Sequence, residues 1–200
     1  MSKTNDQISK GATTKARLRT AAAELIAEVG WRGVSTRMVA DRAGLRVGLV
    51  HYHFDSLTAL LLAAVMPVLD SLNTEVERAL RDAGDAEAGM RALAGPMDRL
   101  HEEAQAVLDL RLLVEVSMEA ARDPDVAQAV APALARARAV IAEWLSRAGC
   151  ARDAEDAAAL AAVVMAAADG LVLHRLADPA LDAAAAVAKL GRLIGGRAGE

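Results

Sequence analysis

Between Ser35 and Phe54 the chain reads S-T-R-M-V-A-D-R-A-G-L-R-V-G-L-V-H-Y-H-F, and side chains able to grip a polyanion crowd together there. Thr36 and Arg37 follow Ser35, whose hydroxyl can cap a helix by accepting a bond from an unpaired amide of the next turn. The free amides of such a helix start carry partial positive charge, so a phosphate can dock on them. Val39, Ala40 and Ala43 have the spacing of one buried helix face. Gly44 ends that helix, because glycine enters the left-handed region at little cost. Leu45, Leu49, Val50 and Phe54 then form a second short apolar pattern, with Arg46, Val47, Gly48, His51, Tyr52 and His53 interleaved. Two short helices joined by a glycine turn make a helix-turn-helix, in which the first supports the second in the DNA major groove. The bland counterpart is a helical hairpin whose polar residues are merely solvated.

Apolar periodicity predicts the elements that must hold this pair. A helix over Thr14–Val29 has Leu18, Ala22, Leu25 and Val29 as its buried stripe, joined by Ala21 and Ile26. Gly30 stops it and Trp31 packs beneath the turn, while Lys15, Arg17 and Arg19 lie on a face able to meet the DNA backbone. Met1–Thr13, polar and without period, reads as an arm. A long helix follows over about Leu57–Leu80, with a kink expected at Pro67. Gly84, Gly89 and Gly95-Pro96 break the chain before a segment between Met97 and Leu110. Further helices are expected over Leu110–Ala121, Asp125–Ala148, Asp153–Leu176 and Asp182–Ile194. The third of these, Asp153–Leu176, places Leu160, Val163, Val164, Leu171 and Leu173 on an apolar face. The sum is an all-α chain of about nine helices, three in the head and six or so in the body.

Composition agrees, at 54% hydrophobic but only 2% aromatic. Residues 1–57 carry nine Lys/Arg against five Asp/Glu, a surplus of four positive charges; the rest carries 14 against 22, a deficit of eight. A basic head on an acidic body suits a protein that presents one end to a polyanion. The single cysteine, Cys150, admits no intrachain disulfide and suits a reducing cytoplasm. No secretory h-region is visible. The longest uncharged runs, Ser56–Leu69 and Ala157–Ala168, fall short of the roughly 18 residues that span a membrane, so no membrane partner is expected. There is no dinucleotide fingerprint, P-loop or zincin motif; Asp98 and His101 have helical i, i+3 spacing, but no Glu-x-x-His pair is present to build a carboxylate-bridged di-metal site. No catalytic residue, cofactor or metal is therefore expected.

A-A-x-x-L-I-x-E-x-G (Ala21–Gly30), S-T-R-x-V-A-x-x-A-G-L (Ser35–Leu45) and G-L-V-H-Y-H-F-D-S (Gly48–Ser56) together resemble the N-terminal domain of the TetR (tetracycline-repressor-like) regulators. The match runs ungapped over about forty residues. It implies DNA contacts at Thr36, Arg37, Arg46, Val47, Gly48, Leu49, His51, Tyr52 and His53. It also implies a three-helix DNA-binding domain with an N-terminal arm over 1–56, and a helical effector-binding and dimerisation domain over 57–200. The last two long helices would pair with their copies in a second subunit.

Three positions depart from the family pattern. Arg46 stands where a capping serine or threonine is usual, and is read as a DNA contact, bidentate to guanine. Leu57 replaces a lysine that touches phosphate, and His51 replaces a tyrosine. Tyr52 is read as a phosphate contact, since its hydroxyl needs a partner.

The body is read as a cavity between helices, lined by Met97, Leu100, His101, Leu113, Met118, Trp144, Met165 and Asp169, with Glu115 and Glu119 as polar hooks. Each of these is also plain core material. The expectation is a cytoplasmic, homodimeric regulator, a repressor released from a near-palindromic double-stranded DNA operator by a small-molecule effector of unknown identity. The competing reading is a helical small-molecule-binding protein or enzyme with a vestigial helix-turn-helix head.

Overall fold

The computed structural model describes residues 2–99, 103–178 and 180–196, and no side chain among residues 2–10, 96–99 or 176. The regular elements among the described residues are nine α-helices and one 3-10 turn. They are α1 (Ser2–Val29), the 3-10 turn Trp31–Gly33, α2 (Thr36–Ala43), α3 (Val47–His53) and α4 (Leu57–Arg81). Then come α5 (Ala86–Arg99), α6 (Ala104–Ala120), α7 (Pro124–Arg147), α8 (Ala154–Ala177) and α9 (Ala183–Gly195). The all-α expectation and the helix count hold. The separate arm does not, since α1 begins at Ser2. No proline interrupts the run, and lengthening an existing helix costs far less than nucleating one.

The chain forms two compact units. The first combines Met1–Leu69 with Val107–Ala131, and the second combines Asp70–Ala106 with Pro132–Glu200. Most of α6 and the first turns of α7 thus associate with the head. Two of the crossings lie beside prolines inside helices, Pro67 in α4 and Pro132 in α7. Each proline deprives its helix of one backbone hydrogen bond at that point.

In the first unit Leu18, Ala21, Ala22, Leu25 and Ile26 of α1 are buried, as are Val39, Ala40 and Ala43 of α2, Val50 of α3 and Leu60 and Leu61 of α4. Val29 departs from the expected stripe and is 47% exposed, because α1 ends there and Gly30 turns the chain at φ +76°. Trp31 is buried beneath that turn.

The second unit packs around Leu80, Met90, Trp144, Leu145, Val164 and Val187. α9 buries Ala183, Val187, Gly191 and Ile194 along one face. A β-carbon on Gly191 would come within 3.3 Å of the Glu87 Cα, so glycine is what lets α9 lie so close to α5. On α8 the expected single apolar face fails. Leu160 and Val164 are buried, but Val163 and Leu173 are 55% and 47% exposed. α8 is apolar all round, so no one stripe distinguishes its inside from its outside. By length and composition alone, two helical stretches, Leu57–Arg81 and Ala154–Arg175, are apolar enough to cross a membrane. The expected shortfall applied only to fully uncharged runs. In α4 Leu60, Leu61, Ala64, Val65 and Leu69 are buried against protein.

Candidate DNA interface

α2 is tied at both ends. Ser35 Oγ accepts from the Met38 amide at 3.3 Å, the cap that the sequence predicts. At the other end Gly44 is left-handed (φ +63°), and the Leu45 amide returns to the Ala40 carbonyl at 2.9 Å. Arg17 of α1 donates to the Ala43 carbonyl at 2.6 Å, so its guanidinium completes this helix end rather than facing outward as the sequence suggested. Arg42 braces α2 to α1 by bonds to Glu28 (2.6 and 2.9 Å) and Glu24 (3.2 Å). These bonds hold the Glu28 carboxyl below its ordinary pKa and raise that of Arg42.

α3, by contrast, is anchored from one side. Val50 is 2% exposed, and Leu45, Leu49 and Phe54 are half-buried around it. Arg46, Val47, Gly48, His51 and Tyr52 are exposed, while Leu49 and His53 are half-buried. Among the described residues the Arg46 side chain has no hydrogen-bond or ion-pair partner; it sits at the N-cap position without capping. Tyr52 is 81% exposed and meets His53 only ring edge to face, with centroids 4.9 Å apart. Arg37 reaches Asp41 only at 3.8 Å with both groups largely in solvent, a pair that hardly restrains it. Thr36 is half-buried at the start of α2. The nine positions implied for DNA contact thus all fall on one short motif, with Arg37, Arg46, Val47, Gly48, His51 and Tyr52 exposed.

The turn before α2 is secured from α6, far along the chain. The Trp31 amide donates to Glu115 Oε2 at 2.8 Å, so a carboxylate from α6 caps the 3-10 turn. One residue on, the Arg32 guanidinium donates to both Glu119 oxygens, at 2.8 and 3.1 Å. The Glu119 side chain is only 8% exposed and raises the Arg32 pKa. Two acids four residues apart among the Leu and Val of α6 were the available signal, since a buried carboxylate requires a partner.

The other residues suggested for an effector site divide between the two units. In the first unit Leu113 is half-buried and Met118 is 50% exposed. In the second, Trp144 is fully buried, with its indole so close to Gly89 that a β-carbon there would overlap the ring. Met165 is half-buried; Asp169 reaches solvent, and partial desolvation raises its carboxyl pKa. The Met97 side chain, Leu100 and His101 lie outside the described residues. A groove of about 260 Å³ opens between α4 and α5 of the second unit, lined by Val76, Ala79, Ala92 and Leu93 with Glu75 and Arg78 at its edge. None of the described residues suggested for an effector lines it. Among the described residues no cluster of His, Cys, Asp or Glu would hold a metal ion.

A glycine-turned pair of short helices, one braced at both ends and the other presenting cationic and aromatic side chains, defines a helix-turn-helix DNA-binding protein. Residues 18–64 match the bacterial regulatory proteins of the tetR family, and residues 84–196 match the tetracyclin repressor-like C-terminal domain. The chain belongs to the TetR family of transcriptional regulators. It is similar to a transcriptional regulator from Rhodococcus sp. Rha1, at 25% identity and a TM-score of 0.72, over 92% of this chain and 94% of that one. A Saccharomonospora viridis protein solved in complex with choline aligns at 23% identity and TM-score 0.72, over 92% and 96% of the two chains. The Bacillus subtilis transcriptional regulator FadR in complex with stearoyl-CoA aligns at 16% and 0.71, over 90% and 97%. No curated protein matches the sequence.

Proposed function

We infer that this regulator is a homodimeric repressor, each subunit placing Val47–His53 in the major groove of one half of a near-palindromic operator. The observation that carries this reading is the outward set on α3: Arg46 without an internal partner, Tyr52 81% exposed, and His51 beside them. Thr36 and Arg37 sit at the start of α2, where amide dipoles and a cation favour a phosphate. The exposed apolar side chains of α8 and Leu193 of α9, 59% exposed, favour pairing of these helices with a second copy. The body is the place for a small-molecule effector; choline and stearoyl-CoA in two similar proteins suit that role without naming the ligand here. Effector binding moves α4, with Pro67 as the pivot, and only a ligand with unequal affinity for the two states drives such a shift.

The test is a gel shift of the purified chain on its own upstream DNA against random duplex, paired with sedimentation. A dimer that prefers one duplex at moderate salt is the expected result. A monomer, or a protein indifferent to sequence, ends the proposal. The pivot has its own check: Pro67→Ala should blunt ligand-induced release, and undiminished release refutes it.

A further inference from the structure

We propose that Glu115 and Glu119 of α6 are positioning residues that latch the Trp31–Gly33 turn and thereby set the helix-turn-helix for operator reading. The proposal rests on the DNA-binding reading above, and goes beyond it by assigning a role to two acids outside the reading motif.

The geometry is that of a built contact. Glu115 and Glu119 are one helical turn apart and so lie on the same side of α6. Glu115 caps an amide of the turn at 2.8 Å, and Glu119 holds Arg32 with two bonds, a fork that fixes orientation as well as distance. Gly30 makes room for this. Its φ of +76° disfavours any other residue, and a β-carbon there would stand 3.2 Å from Glu115 Oε2. The turn between these bonds is the only chain between α1 and Ser35, the cap of α2. Whatever moves α6 therefore pulls on the helix that supports α3. Val107–Ala131 associates with the head in one compact unit, as such a latch requires.

Arg32 side-chain exposure of 66% leaves a competing role open, that of a phosphate contact, and the two make different predictions. If Arg32 only neutralises phosphate, Arg32→Ala costs the same whether or not Glu119 is intact, and weakens random duplex as much as operator. If it is latched, Arg32→Ala and Glu119→Gln each lower operator affinity about tenfold, and the double variant is no worse than either single one. Binding to random duplex stays unchanged.

The experiment is this double-variant cycle on the full-length protein, using a duplex selected by the wild type and a random duplex. Native amide exchange is followed in parallel without DNA. Non-additive costs confined to the selected duplex support the latch; additive costs, or none, overturn it. In the exchange arm Glu115→Ala should speed the Trp31 amide about tenfold, with the change confined to residues 30–45. Unchanged exchange overturns the latch, as does faster exchange that extends equally into α8 and α9, the mark of a general loss of stability. A wild type that prefers no duplex defeats the regulator reading, and the exchange arm still decides whether the latch exists.

Discussion

Helices α3 and α8 both leave large side chains in solvent, and they do so with opposite chemistry. α3 is seven residues long, fixed through Val50, and offers Arg46, His51 and Tyr52. α8 is 24 residues long, apolar on every side, and offers Val163 and Leu173. A polar exposed helix is at no loss in water, so its composition speaks of a ligand only through charge and shape. An exposed apolar helix loses hydrophobic stabilisation of about 25 cal/mol per Å² left uncovered, which favours a covering partner. Function on α3 therefore has to be read from side-chain placement, whereas on α8 it is read from what is missing around it.

The comparison breaks most visibly on α8. Val163→Glu places a charge where the proposed second copy would lie, and should give a monomer. Since two tethered half-site contacts exceed one by a large avidity factor, operator affinity should fall on the order of 100-fold or more. Sedimentation and a gel shift on the same sample check this. A dimer with unaltered affinity would show that the apolar side of α8 serves something else.

On α3 the expected losses are smaller and selective. Arg46→Ala should cost about 1–3 kcal/mol per half-site, with base preference relaxed at one position, if the guanidinium grips a guanine edge. A competition assay over single-base operator variants reads both quantities. Uniform weakening without relaxed preference would demote Arg46 to a phosphate contact, and full retained affinity would remove it from the interface. Leu57→Lys runs the other way. Leu57 is half-buried at the start of α4, so a lysine stem can lie along the same surface with its ammonium in solvent. Restoring the lysine usual in this family should steepen the salt dependence of binding by about 0.9 per added contact.

The two helices also differ in how far sequence announces them. Ser35 and Gly44 marked the ends of α2 because capping and left-handed turns depend on residue type, and both are found as expected. Most of the nine helices followed from periodicity and breakers, but α5 runs as one helix over Ala86–Arg99, through Gly89 and Gly95-Pro96, where breaks were expected. Three other features did not follow. α1 runs back to Ser2 through a segment without apolar period, since helix continuation needs no buried face. Arg17 closes the end of α2, because a long flexible side chain declares its target only in three dimensions. Glu115 and Glu119 find Trp31 and Arg32 more than eighty residues away, a pairing that spacing along the chain cannot reveal. The same limit explains α8: with apolar residues on all sides, its sequence does not say which side is covered.

The smallest expected effect concerns how α2 is held beneath α3. Arg42 bonds Glu28 and Glu24 on the surface, in solvent that screens the charges, so the brace is weak and serves orientation more than stability. Its hydrogen bond lowers the Glu28 pKa below that of the free side chain. A carboxylate whose pKa is lower in the folded chain adds stability above its unfolded value, and that contribution disappears as pH falls through the folded value. Arg42→Ala should therefore lower the melting temperature slightly at neutral pH. The gap from wild type should close in acid, once Glu28 is protonated in both. Thermal melts of the two proteins at matched ionic strength between neutral and strongly acidic pH make the comparison. A gap that stays constant with pH would mean that Arg42 acts through the packing of its aliphatic stem rather than through Glu28. α2 would then be held by Ser35, Arg17 and its buried face alone.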